Sequence, residues 1–304
     1  MRRSLSAFLL LTTAALPLRA DGPDPVLQER IERLIAGFNG EVGVYVRHLP
    51  TGREAAVRAD ELFPTASLVK VPILLAVMDR VERGELDWHM TLVYHDSLLY
   101  PGDDIAGSLK DSATIALSKI AMLMITTSDN TAALWCQKLA GTGTAINDWL
   151  ERNGYASTRV NSRTPGREED RGRFGWGQTT PREMARMLVS LREGTAVSRA
   201  ASEEMYRMLT RIYWNGEALS VIPPWVQAAS KQGAVNRSRS EVVLVNAPSG
   251  DYVFCVITKN QGDESWKPEN EGYVLLRDVS ALLWRYFEPD RPWSPAPGAE
   301  TLKP

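Results

Sequence analysis

Apolar residues recur with two different periods along this chain, and the places where the period changes outline its organisation. Leu27, Ile31, Leu34, Ile35 and Phe38 fall at helical spacing, and Asn39-Gly40 ends that run with a turn signal. Val42 to Val46 and Glu54 to Val57 read as the arms of a hairpin around Pro50-Thr51-Gly52. From residue 65 to about 212 the pattern is almost wholly helical. One helix start is explicit: Thr180 and Glu183 have the spacing of a capping box, Pro181 takes the first helical position, and Gly194 closes the far end. Strands are expected again over 226–229, 241–246 and 252–258, with Ala247-Pro248-Ser249-Gly250 as the turn between the last two. Leu275, Leu276, Val279, Leu282, Leu283 and Tyr286 then mark the apolar side of a final helix. Strands and a helix at both ends with helices between predict an α/β (α+β) fold. It combines an antiparallel sheet, flanked by the N- and C-terminal helices, with an inserted all-helical lobe. A ligand cleft is expected at the seam between the lobes.

The chain ends change that picture only at its margins. Residues 1–20 carry Arg2-Arg3, an apolar stretch from Ala7 to Leu16 and a Leu18-Arg19-Ala20 exit, the pattern of a secretory signal peptide too short to span a bilayer comfortably. A secreted or periplasmic protein with no stable membrane anchor after signal cleavage is expected. The catalytic domain is assigned to 24–290, with an α/β lobe from 24–62 plus 213–290 and a helical lobe from 63–212. The proline-rich 291–304 reads as a disordered tail. Removing Arg2, Arg3 and Arg19 from the 35 basic residues leaves 32 against 37 acidic ones, with no concentrated basic face, which argues against a nucleic-acid partner. His48, His89 and His95 have no paired spacing, so neither a zinc site nor any other cofactor is expected. Cys136 and Cys255 both sit among apolar neighbours and read as two buried thiols more readily than as a bridge.

The candidate chemistry lies in three short polar motifs set in apolar surroundings: Ser67-Leu68-Val69-Lys70, Ser128-Asp129-Asn130 and Lys231-Gln232-Gly233. A serine hydroxyl is a weak nucleophile at its free pKa, and a lysine three residues later on a helix lies on the same face, within reach of its proton. Lys70 acts as a base only if its pKa falls, through desolvation or through the nearby charge of Lys231. Phe63 to Ser67 reads as an extended entry that places Ser67 at or near a helix N-terminus, and Pro72 predicts a tight or kinked first turn. Ser128-Asp129-Asn130 falls on a loop between two packed helices, where Asp129 or Asn130 also suits the role of N-cap. The set is the equipment of an acyl-transferring serine hydrolase.

The ordered motifs resemble those of the class A β-lactamase family, within the serine β-lactamases and penicillin-binding proteins. Phe63-Pro64, Ser128 to Ala133, Gln178-Thr179-Thr180-Pro181 and Trp225-Val226 extend the resemblance over residues 24 to 290. The resemblance implies that Ser67 is acylated by a lactam carbonyl, that Lys70 helps to move its proton, and that Ser128 relays it to the departing nitrogen. Asn130 would hold the substrate's side-chain amide, Lys231 would pair with its carboxylate, and the backbone N–H groups of Ser67 and Ala234 would form the oxyanion hole. A small β-lactam or peptidoglycan-like substrate and a monomer are implied.

Two departures from the family pattern are visible. Gln232 stands where the third motif, ending at Gly233, usually carries a small hydroxyl, leaving Gln232 itself, Arg237 or Arg239 to meet the substrate carboxylate. The glutamate and asparagine that would position a deacylating water are not found at their usual spacing. The matching stretch, 162–171, offers Glu168, Glu169 and Asp170, which read either as catalytic acids or as a solvated charge cluster among Arg163, Arg167, Arg171 and Arg173. Glu168 and Glu169 are the candidates for deacylation. The expected activity is β-lactam hydrolysis through an acyl-enzyme on Ser67. The alternatives are a D-alanyl-D-alanine peptidase or esterase of the same fold, or a slow-turnover penicillin-binding protein or sensor.

Overall fold

The computed structural model describes residues 22–102 and 104–304; the signal peptide expected over 1–20 lies outside them. The chain enters through β1 (Gly22–Pro23) and α1 (Pro25–Ile35), where Asp24 accepts a hydrogen bond from the Leu27 amide at 3.1 Å and Pro25 opens the helix. The predicted hairpin follows as β2 (Glu41–His48) and β3 (Arg53–Val57). The helical lobe begins with β4 (Phe63–Pro64), a 3-10 turn over Ala66–Val69 and α2 (Lys70–Glu82). The 3-10 turn is the tight start that Pro72 implied. Then come β5 (Thr91–Val93), β6 (Thr114–Ala116), α3 (Leu117–Thr126), α4 (Asn130–Leu139) and α5 (Thr142–Arg152). The lobe closes with β7 (Arg159–Val160), α6 (Glu168–Phe174), β8 (Gly177–Thr179), α7 (Pro181–Glu193) and α8 (Arg199–Leu209).

The chain then returns to the first lobe through β9 (Ala228–Val235), β10 (Ser238–Val245), β11 (Tyr252–Lys259) and α9 (Glu271–Phe287). The six-stranded sheet has the order β1-β3-β2-β11-β10-β9, antiparallel throughout except that β1 runs parallel to β3. Alternate residues of its strands feed two cores. Val44, Val46, Val243, Val245 and Phe254 pack under α1 and α9, while Tyr45, Val242, Leu244, Val253 and Cys255 face the helical lobe. Two interior faces explain why these strands read as continuous apolar runs.

Three local expectations change in detail. The strand expected over 226–229 begins at Ala228 and continues to Val235, so Lys231-Gln232-Gly233 lies inside the edge strand of the sheet. The capping box at α7 is half formed. Thr180 accepts from the Glu183 amide at 3.2 Å, but the Glu183 carboxylate turns to the amides of Ser157 and Thr158 and to the Thr158 hydroxyl, tying β7 to α7. Gly194 does close that helix, in the left-handed conformation at φ 75°. The helical lobe also contains two small sheets, β4-β8-β7 and β5-β6, whose strands are too short for periodicity to reveal. Cys136 and Cys255 are free, buried thiols. Among the described residues no helix is long and apolar enough to cross a membrane.

Candidate active site

Ser67 owes its position to the short strand that precedes it. The pairing of β4 with β8 and the bond from the Thr65 amide to the Gly177 carbonyl (2.9 Å) fix the entry, and Leu68 and Val69 anchor the turn in the core. Ala66 takes φ 43°, a strained value for a residue with a Cβ. The nucleophile is thus held in a 3-10 turn just ahead of α2 rather than in the helix proper. One turn on, Lys70 Nζ lies 3.1 Å from Ser67 Oγ, 3.0 Å from Ser128 Oγ and 2.8 Å from Asn130 Oδ1, and it also contacts the Ser128 carbonyl.

Ser128 and Asn130 are delivered by the junction of α3 and α4. Asp129 caps α4, accepting from the Ala132 amide at 2.7 Å through one oxygen and from the Ala106 amide at 2.7 Å through the other. Buried between those bonds, it turns its two neighbours toward the cleft; Ser128 takes φ 60° to do so. From the other lobe, Lys231 Nζ reaches Ser128 Oγ at 3.0 Å, the Gln232 carbonyl at 2.9 Å and Gln232 Oε1 at 3.0 Å. Ser67, Lys70, Ser128, Asn130 and Lys231 therefore converge; helical spacing implied the approach of Lys70 to Ser67, and the family resemblance implied the rest.

The two amines suit different protonation states. Burial lowers Lys70 to about 7, against the weaker opposing pull of Asp104 and Asp129. Two of its neighbours, the Ser128 carbonyl and Asn130 Oδ1, can only accept hydrogen bonds. A neutral amine supplies those two donors and leaves its lone pair for a hydroxyl proton, which is the arrangement a general base requires. Burial and the charge of Lys70 also hold Lys231 well below the usual lysine range, while Glu241 and Glu217 oppose the shift. Its three acceptors match the three donors of an ammonium group.

Gly233 lets the edge of β9 close on the nucleophile. A Cβ there would lie 2.9 Å from the Ser67 nitrogen and 2.8 Å from the Thr65 carbonyl, so the strand and the 3-10 turn can meet only without one. Ala234 follows on the same edge.

A model of the beta-lactamase enzyme family matches residues 26–287 of this chain. The chain belongs to the beta-lactamase enzyme family. It is 18% identical over 269 residues to beta-lactamase VEB-1 of Pseudomonas aeruginosa, spanning 85% of this chain and 89% of that one. Among solved structures it resembles PBP-A, including a point mutant of that protein seen as an acyl-enzyme complex with penicillin G, at 26% identity and a TM-score of 0.79 over 90% of this chain and 100% of that one. An ancestral class A beta-lactamase matches at 24% identity and a TM-score of 0.74 over 86% of this chain and 99% of that one, a likeness of fold. Family and fold together make the chain a serine β-lactamase-type hydrolase.

Within this family member, the remaining expected site residues are not gathered around Ser67. Glu168 and Glu169 are exposed in the first turn of α6, and among the described residues Glu168 accepts only from the Gly166 amide, at 3.2 Å. Asp170 pairs with Arg167 at 2.9 Å. That arginine also binds Asn161 Oδ1 at 3.0 Å and Gln178 Oε1 at 2.8 Å, pinning the loop with a cation where the sequence offered acids. Arg239 points to the rear of the sheet. Its guanidinium lies between the rings of Trp266 and Tyr273, 4.6 Å from each centroid, and bonds the carbonyls of Val235, Ser238 and Ser265. Arg237 is spent on the carbonyls of Asn260 and Gln261 and on Glu264. Of the candidates for the carboxylate pocket, only Gln232 touches Lys231.

Sequence reasoning missed several neighbours of the site. Asp104 binds the amide and hydroxyl of Thr131, next to Asn130, and the Tyr100 ring meets Trp176 edge-on at 5.1 Å. Trp214 donates to the Thr127 carbonyl at 2.8 Å, bracing the strained backbone ahead of Ser128. No motif spacing marks these residues, because their partners lie far away in the chain.

Proposed function

We propose that the protein is a secreted hydrolase that opens β-lactam rings through an ester on Ser67 and releases that ester slowly, so that it traps penicillins better than it destroys them. Neutral Lys70 takes the Ser67 proton as the oxygen attacks the lactam carbonyl. The amides of Ser67 and Ala234 receive the oxyanion, and Ser128, held by both amines, passes a proton to the departing ring nitrogen. Asn130 and Lys231 hold the amide and carboxylate of the substrate.

The observation that carries this reading is the contrast between the hydrogen-bonded set around Lys70 and the outward placement of Glu168 and Glu169. Hydrolysis of the ester needs a base aimed at a water beside the acyl carbon, and neither acid has a bond to Ser67 or Lys70 among the described residues. The acyl-enzyme complex of the PBP-A mutant supports the idea that a fold of this kind can carry a penicillin on its serine. The test is mass spectrometry of the protein after mixing with benzylpenicillin. A single adduct on Ser67 that persists for many minutes supports the reading; no adduct, or one cleared within seconds, overturns it.

A further inference from the structure

Between α8 and β9 the chain crosses from the helical lobe back to the sheet, and on the way it takes hold of the backbone just ahead of Ser128. The last carbonyls of a helix have no partner within it, and those of α3 find theirs here. The Tyr213 amide donates to the Thr126 carbonyl at 2.9 Å, and Trp214 Nε1 donates to the Thr127 carbonyl at 2.8 Å. Ser128 follows directly at φ 60°, in the left-handed position after a helix that glycine usually fills. A residue with a Cβ keeps that conformation only where its surroundings impose it. On the far side the Asp129 cap supplies the restraint, through the Ala106 and Ala132 amides; on the near side the two bonds from the crossing segment supply it. The segment is itself anchored further on, where the Ala218 amide donates to Glu241 and the Ala218 carbonyl accepts from Ser280 Oγ, each at 2.8 Å.

We propose that Trp214 is a positioning residue for acylation: by holding the Thr127 carbonyl it keeps the Ser128 hydroxyl between the two amines and in line with the departing ring nitrogen. This role rests on the acylation of Ser67 proposed above. Ser128 Oγ lies 3.0 Å from Lys70 Nζ and 3.0 Å from Lys231 Nζ, so it can take a proton from an amine as it gives its own to the nitrogen. The peptide that joins Thr127 to Ser128 carries the oxygen that Trp214 restrains. Without the indole N–H that carbonyl is free to turn toward water. A rotation of the peptide changes φ of Ser128 and swings its hydroxyl away from both amines, and small misplacements of a reacting group are costly. Trp214 acts through the backbone and need not touch the substrate.

Benzylpenicillin and nitrocefin separate this role from a general loss of activity. The nitrogen that leaves a penicillin is a basic amine and departs only with a proton. In nitrocefin the corresponding nitrogen is conjugated to the ring alkene and the dinitrostyryl group, which spread its developing charge, so it depends less on proton delivery. Trp214→Phe should slow acylation by benzylpenicillin about tenfold, a fraction of the ~10²–10⁴ that a positioned acid contributes, and acylation by nitrocefin about twofold or less. Trp214 is 39% exposed, and Phe retains a ring beside Tyr213, which the indole meets edge-on at 5.1 Å, so the fold should be spared. A benzothiophene analogue of tryptophan at position 214 keeps the shape and lacks the N–H, and it should give the same selective loss if Trp214→Phe does not fold. Losses of equal size for the two substrates, or no loss for benzylpenicillin, overturn the role while leaving acylation intact. Absence of any Ser67 adduct with either substrate in the native protein overturns the role together with the functional reading on which it rests.

Discussion

The two walls of the cleft are built to different standards. On the wall formed by α2, the α3–α4 junction and β9, the reactive side chains are joined to one another through two fully buried lysines. On the wall formed by residues 161–178, the acids face solvent and the inward contacts belong to Arg167, Asn161 and Gln178. Acylation requires a desolvated base, a proton relay and oriented amides, which rigid buried elements supply. Release requires a base and a water at one further point, and this loop offers its acids elsewhere. Under the proposed mechanism, that difference would separate acylation from release through the exposure of one short helix, α6.

Substitutions that break the first wall should have the largest effects. Ser67→Ala should abolish the covalent adduct, read by intact-protein mass spectrometry, because Ser67 is the hydroxyl that stands both beside Lys70 and against the glycine edge of β9. Lys70→Met should slow acylation by about a hundredfold to ten-thousandfold, the usual contribution of a positioned base. The same residue sets a pH dependence. Its pKa is lowered to about 7 and the neutral form is the active one, so the acylation rate should rise with pH through about 7, and Lys70→Met should lose that rise. Gly233→Ala should cost about tenfold to a thousandfold in acylation, by pushing β9 away from the Ser67 amide.

The second wall should respond more mildly. Arg167→Ala removes bonds to Asn161, Gln178 and Asp170 and should lower stability by about 1–3 kcal/mol in urea titrations, with little change in acylation rate. Glu168→Gln and Glu169→Gln should leave both half-reactions within about twofold, in line with exposed side chains that touch nothing essential. A large loss of release rate in either variant would erase the contrast between the walls.

Much of the first wall was legible in the sequence because its chemistry is local. Ser67 and Lys70 are one helical turn apart, and Asp129 announces both a cap and the two neighbours it presents. The longer apolar runs were legible for a similar reason, since burial on both faces of β10 and β11 leaves an unmistakable signature. What escaped has partners distant in the chain. Glu241 sits in a strand between Ser240 and Val242, where a lone acid reads as an exposed position, and only the pairing with β9 reveals that it is buried behind Gln232. Arg239 looked available to a substrate because sequence spacing does not show which face of the sheet a residue occupies. Glu168 and Glu169 carried the right chemistry at the right place in the chain, but the turn of α6 directs them outward.

The most direct test of the contrast is a rapid-mixing experiment with nitrocefin in excess over enzyme. A fast burst of ring opening equal to one equivalent of enzyme is expected, followed by a much slower steady rate, because the ester on Ser67 would form readily and depart slowly. A steady rate as fast as the burst, or no burst at all, would contradict it.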